Sequence, residues 1–186
     1  MSGSTRAATL FEEVAALFDS HGRETYGEGV SIAEHCLQTA ALARAESADP
    51  ALVVAALLHD IGHLIELRDD AFGYHKHDQS GGTWLAARLP AMVSEPVRLH
   101  VAAKRYLCAI EPDYFEHLSM PSRYSLTKQG GPMTSDDAAG FARQPFIDSA
   151  VRLRRWDDGG KIAGMVVPPL DSYRRMIAML LEERSA

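Results

Sequence analysis

An imidazole and a carboxylate stand side by side in Leu57-Leu58-His59-Asp60-Ile61-Gly62-His63, at the end of an otherwise apolar run. Polar groups carried into an apolar interior need a partner, either a neighbouring hydrogen-bonding group or a cation. Taken alone, this pair fits both. His35 lies upstream, and His77, His100 and Asp157 follow, so the chain reads H, HD, H, H, D in order. Imidazole and carboxylate donors together suit zinc, iron, manganese or nickel, and the lack of a Cys ligand pair disfavours a structural zinc site. Six donors exceed what one catalytic ion takes while leaving room for substrate. Two ions sharing Asp60 fit better, because a carboxylate has two oxygens to give and an imidazole one nitrogen. The set then divides into His35, His59, Asp60 and Asp157 for one ion, and Asp60, His77 and His100 for the other, which keeps open positions.

The elements that must position these residues read as helices. Leu10, Val14, Leu17 and Phe18 mark a first helix over Leu10 to His21, broken by the Gly-rich stretch Gly22 to Gly29. Ser31-Ile32-Ala33-Glu34 fits a capping box that opens a helix running to about Glu46, with His35 in its first turns. Asp49 followed by Pro50 starts a nearly all-apolar, hence central, helix through His59. A loop around Asp69 to Tyr74 leads to a helix near Asp78 to Leu89, and Ser94-Glu95-Pro96 opens another that carries His100 and Lys104. Glu111 to Pro132 shows Pro, Ser, Gly and aromatic residues without a clean period, and reads as a loop long enough to belong to a site. Thr134 to Arg143, Phe146 to Asp157 (ended by Gly159-Gly160) and Ser172 to Glu183 complete the set. The expected class is all-α, a helical bundle with a dinuclear metal site in its core.

Bulk properties narrow the function. With 186 residues and 46% apolar content, one domain can close around a buried site. A formal charge of -6 leaves no basic stripe for phosphate backbones, so nucleic acid is not expected as a partner and a small molecule is. Cys36 and Cys108 lie far apart in helical patterns and read as reduced thiols, which points to the cytoplasm. No signal-peptide pattern opens the chain, and the longest apolar run, Ala51 to Leu58, is too short to span a bilayer, so no membrane partner is expected. Oligomeric state is left open.

Three segments flanking the ligand set carry a resemblance. They are His100-Val101-Ala102-Ala103-Lys104-Arg105-Tyr106-Leu107, Gln129-Gly130-Gly131-Pro132-Met133 and Arg152-Leu153-Arg154-Arg155-Trp156-Asp157-Asp158. With the H, HD, H, H, D order, the chain resembles the HD-domain superfamily, and within it the mixed-valent diiron oxygenases of the phosphonate-cleaving, PhnZ/TmpB-like branch. The similarity runs from about Gly27 to Lys161. It implies a single HD domain over residues 1–186, with its core at about 27–161 and a C-terminal helix at about 172–183. It also implies an Fe(II)/Fe(III) pair with dioxygen as co-substrate. The expected reaction is oxidative cleavage of the carbon-phosphorus bond of a 1-hydroxy-2-aminoethylphosphonate or its N-trimethyl analogue. Phosphate is released with glycine or glycine betaine, and no external reductant is consumed.

For such a substrate, residue roles follow. Lys104 stands four residues after His100 on one helical face, and holds a phosphonate oxygen as a point charge. Arg154 precedes Asp157 by one turn, and its planar fork suits two phosphonate oxygens. His63, one turn after His59, donates to a substrate oxygen or moves a proton. Ser122, Ser125 and Gln129 are further phosphonate donors, and Glu28 supplies the counter-charge for the amine. In that branch a tyrosine stands three residues before the glutamate, where it can occupy an iron until substrate displaces it. Here Thr25 has that place and Tyr26 comes one residue later. Tyr26, Tyr74 or Tyr106 is a candidate wall for a trimethylammonium pocket. His21, His75 and His117 have no place in the ordered set. Competing readings on the same scaffold are a metal-dependent phosphohydrolase or phosphodiesterase, a polyol oxygenase and an inactive binding module.

Overall fold

The structure, a computed structural model, describes residues 3–25, 27–65 and 76–183, and among them it is all-α, without a strand. The helices are α1 Gly3–His21, α2 Ile32–Ala45, α3 Pro50–Leu58, α4 Ile61–Ile65, α5 His77–Ala86, α6 Ala91–Ile110, α7 Tyr114–His117, α8 Met120–Lys128, α9 Ser135–Phe141, α10 Ile147–Gly159 and α11 Arg174–Glu183. A 3-10 turn, Leu170–Tyr173, leads into α11.

Helix α3 is central because its composition permits nothing else. Ala51 through Leu58 are all buried, and a helix that is apolar on every side must be surrounded. Helices α2, α6, α10 and α11 pack around it. Asp49 caps it by accepting from the Ala51 amide at 2.8 Å, with Pro50 in the first turn. Val14 and Phe18 of α1 and Ile177 and Leu181 of α11 join the same apolar core, as do Leu85 of α5, Val93 and Val97 of α6 and Trp156 of α10. Leu107, Tyr114, Leu118 and Leu126 form a second cluster that ties α7 and α8 to α6.

The stretch Glu111 to Pro132, expected as a loop, instead holds α7 and α8. Ser119 is the N-cap of α8, accepting from the Ser122 amide, and Pro121 lies in its first turn. The helix is mostly polar and buries little beyond Ser122 and Leu126, so it leaves no apolar stripe to read. Helix α6 begins at Ala91, a turn before the expected start; Pro96 lies inside it and removes one backbone bond. Helix α1 likewise starts before Leu10, at Gly3. The expected loop at Asp69 to Tyr74, with Tyr26 and His75, lies outside the described residues.

Candidate metal centre and substrate cavity

The six candidate ligands arrive on separate elements. His35 is the fourth residue of α2, whose start is fixed by a capping box: Ser31 Oγ accepts from the Glu34 amide at 3.3 Å, and Glu34 Oε2 accepts from the Ser31 amide at 2.8 Å. His59 and Asp60 occupy the break between α3 and α4, His77 opens α5, His100 lies in α6, and Asp157 is in the last turn of α10. Two glycines permit the close approaches. A Cβ on Gly62 would lie 2.1 Å from the His77 carbonyl oxygen, so only glycine lets α4 and α5 come close enough to set His77 beside Asp60. A Cβ on Gly160 would lie 2.5 Å from Thr39 Oγ1, where α10 ends against α2.

Asp60 divides the cluster. Its Oδ2 lies 3.6 Å from His35 Nε2 and 3.5 Å from His59 Nε2, while its Oδ1 lies 3.5 Å from His77 Nε2 and 3.9 Å from His100 Nε2. Asp157 closes the first group, with Oδ1 3.3 Å from His35 Nε2 and Oδ2 4.0 Å from His59 Nε2. Three ring orientations are fixed from behind. His35 Nδ1 donates to the Gly160 carbonyl at 2.8 Å, His59 Nδ1 to Ala56 at 2.9 Å and His100 Nδ1 to Val97 at 2.6 Å. With those protons committed, the Nε2 lone pairs of His35, His59 and His100 point inward: His35 meets His59 at 3.1 Å, and His100 Nε2 lies 3.1 Å from His77 Nε2. Two lone pairs aimed at each other need a cation between them. The donor set therefore fits two ions, one held by His35, His59, Asp157 and Asp60 Oδ2, the other by His77, His100 and Asp60 Oδ1.

The electrostatics agree. Burial pushes the Asp60 carboxyl up, but the surrounding imidazoles, His59 foremost, outweigh it and hold the group well below the usual carboxylate range. Asp157 is likewise raised by burial and lowered further by Arg154 and Lys161. Both carboxylates are thus anionic. Burial, reinforced by the neighbouring His59, lowers His100 to about 4, leaving a neutral imidazole fit to ligate. His59 is also lowered, by burial first. On His35 burial opposes charge, but Asp157 and Asp60 outweigh it and raise the imidazole above its ordinary value. Where carboxylates face a ring in this way, a proton occupies the position a metal ion would take.

Above the cluster lies a cavity of about 150 Å³, with His35, Asp60, His77, His100 and Asp157 at its base. His59, wholly buried, stands behind it. The sequence-derived substrate residues Glu28, His63, Lys104, Ser122, Ser125, Gln129 and Arg154 all line this cavity. His63 stacks on His77 at 4.1 Å between ring centres. Lys104 Nζ donates to Ser125 Oγ at 2.7 Å, and burial, with the Arg154 charge adding to it, lowers its ammonium to about 7. Gln129 Oε1 is buried with no hydrogen-bond partner among the described residues. Arg154 donates through NH1 to Asp157 Oδ2 at 2.5 Å, through Nε to Asp158 Oδ2 at 3.2 Å, and through NH2 to Asp158 Oδ1. Those bonds leave one N–H on each terminal nitrogen for a ligand.

Some residues do not come together as expected, and some emerge only in three dimensions. Tyr106 packs on Phe141 and lines a separate shallow cavity with Met133 and Ala138, so it is not part of an ammonium pocket here. Lys161 was not among the sequence-derived candidates. Its Nζ bonds Glu28 Oε1 at 2.8 Å and Ser122 Oγ at 2.9 Å, and lies 3.6 Å from Asp157 Oδ1. Tyr114, which donates its phenolic hydroxyl to Asp158 beneath Arg154, and Tyr124 at the cavity rim were missed as well. Lys161 follows a Gly pair that ends a helix and meets a partner 133 residues away, so no local pattern announces it.

Comparison with known proteins agrees with this arrangement. The family described as HD domain matches residues 32–105, a span that contains His35, His59, Asp60, His77 and His100. A hydroxymethylphosphonate dioxygenase of Gimesia maris is 42% identical over 95% of this chain and 89% of its own length. The [1-hydroxy-2-(trimethylamino)ethyl]phosphonate dioxygenase (glycine-betaine-forming) of Leisingera caerulea is 37% identical over 94% of this chain and 91% of its own. The uncharacterized protein L432 of Acanthamoeba polyphaga mimivirus is 32% identical over 90% of this chain and 80% of its own. With near-full-length similarity to two such enzymes and an HD match over the ligand-bearing helices, the chain belongs to the phosphonate-cleaving, PhnZ/TmpB-like branch of the HD-domain proteins.

Proposed function

We propose that this protein is a diiron dioxygenase that cleaves the carbon-phosphorus bond of a small 1-hydroxyphosphonate. The observation that supports it most is the split of Asp60 between two histidine pairs at the base of a cavity that also presents Lys104, Arg154 and Lys161. Candidate substrates are a 1-hydroxy-2-aminoethylphosphonate, its N-trimethyl analogue and hydroxymethylphosphonate, the last two being those in the relatives' names. The products are phosphate with glycine, glycine betaine or formate respectively. Both atoms of dioxygen end in the products, so no reductant is needed. Iron held by His35, His59, Asp60 and Asp157 and by Asp60, His77 and His100 would supply the one-electron chemistry that dioxygen requires.

The chain's own groups do the rest. Lys104 and the remaining N–H groups of Arg154 hold the dianionic head; Ser122, Ser125 and Gln129 add neutral donors. Gln129, whose Oε1 has no hydrogen-bond partner among the described residues, is placed to turn its amide toward a ligand. His63 faces the substrate's C1 oxygen and relays its proton. The test is to load the protein with iron and measure dioxygen uptake and phosphate release with each hydroxyphosphonate. Coupled uptake and release supports the reading. Phosphate-ester hydrolysis without oxygen would replace it with the phosphohydrolase reading.

A further inference from the structure

We propose that Lys161 is a specificity-determining residue, an ammonium built into the protein on the Glu28 carboxylate, which ranks amine-free hydroxyphosphonates ahead of aminated ones. The proposal rests on the hydroxyphosphonate reading above and concerns which member of that class the site prefers. Glu28 Oε1 accepts from Lys161 Nζ at 2.8 Å, from Ser119 Oγ at 2.9 Å and from Ser122 Oγ at 3.3 Å. The pair is removed from water, with the Glu28 side chain 5% and the Lys161 side chain 11% exposed. A substrate ammonium arriving at Glu28 therefore meets a carboxylate already neutralised and a like charge beside it. Away from water, opposition of like charges costs more than it would at the surface.

Among the described residues, a second feature that attracts ammonium also meets a lysine. Tyr124, at the cavity rim, carries the Lys128 ammonium over its ring at 5.4 Å from the centre, where a trimethylammonium group would otherwise stack. Among the described residues, Glu28 and Tyr124 are thus each met by a lysine, from the segment after α10 and from α8 respectively. A small dianion is instead welcomed by Lys104, Arg154 and Lys161 together.

The test compares anaerobic binding of hydroxymethylphosphonate and of [1-hydroxy-2-(trimethylamino)ethyl]phosphonate to the two-metal protein by calorimetry, with metal content measured alongside. The unaltered protein should bind the hydroxymethyl compound more tightly. Lys161→Ala should shift the affinity ratio toward the trimethylammonium compound by about tenfold or more, the scale of one charge-assisted bond exchanged at a buried carboxylate. Lys161→Met keeps most of the volume and should shift it in the same direction. The double variant Glu28→Gln with Lys161→Ala has the same space without the carboxylate, and its ratio should return toward that of the unaltered protein. The proposal is overturned if the unaltered protein prefers the trimethylammonium compound. It is also overturned if metal-replete Lys161 variants keep its ratio, or if the shift persists in the double variant. A failure of the underlying function looks different: no hydroxyphosphonate releases phosphate in air, whatever the binding ratios.

Discussion

Lys104 is 2% exposed and meets Ser125 rather than a carboxylate, so burial, helped by the Arg154 charge, brings its ammonium to about 7 from an ordinary 10.5. The unfolded chain keeps that proton up to the ordinary value. Between about 7 and 10.5 the unfolded state thus binds more protons, and this group makes stability rise with pH. The penalty is complete below pH 7 and fades above it. Lys104→Met should accordingly raise the melting temperature, by roughly 2–4 °C for each kcal/mol recovered, with a larger gain at about pH 6 than at about pH 9. The same change should abolish phosphonate affinity. A variant no more stable at the lower pH would show that the lysine is not strained by burial. Arg154 differs, since it pairs with Asp157 and Asp158 as well as facing the cavity. Arg154→Ala should lower both substrate affinity and metal affinity, the latter by about 10–100-fold, because it orients a candidate ligand from behind. Metal titration separates this from a purely substrate-binding role, in which the metal would stay.

At the scale of elements, Gly62 makes the sharpest demand. It separates Ile61 from His63 in α4 and lies against the first residue of α5, where a methyl group would land 2.1 Å from the His77 carbonyl. Gly62→Ala should force the two helices apart at about 1–3 kcal/mol and draw His77 away from Asp60. Thermal melting should report the first effect and a metal content falling from two toward one the second. Unchanged metal content would mean that α5 can shift without losing its ligand. Much of this layout was legible beforehand wherever a helix announces its own start. The Ser31–Glu34 box and the Asp49-Pro50 cap fix α2 and α3, and with them His35, His59 and Asp60. Helix α8 was not legible because it is held by Leu126 and by polar contacts to Glu28 and Lys104 rather than by an apolar stripe. Arg154 and Lys104 were found from helical register with ligands. Register gave their place in the cavity but not their partners, and Asp158, Tyr114 and Lys161 appear only when α6, α7 and α10 are packed together.

Across the whole molecule, the candidate ligands come from α2, the α3–α4 break, α5, α6 and α10, while the apolar core runs from α1 to α11 without needing them. Metal should therefore bind the folded chain alone and stabilise it by mass action without nucleating it. Removing both ions with a chelator should lower the melting temperature by about 10–20 °C relative to metal concentrations near a hundred times each dissociation constant, with far-ultraviolet dichroism still helical. The position of Asp60 makes a stricter demand. Because its two oxygens face different histidine pairs, Asp60→Ala should empty both positions and make melting insensitive to chelator. His100→Ala touches only the Oδ1 side, so it should retain about one ion and about half of the chelator response. If His100→Ala lost both ions, or Asp60→Ala kept both, the carboxylate would not be the bridge, and the two histidine pairs would have to be read as parts of a single site.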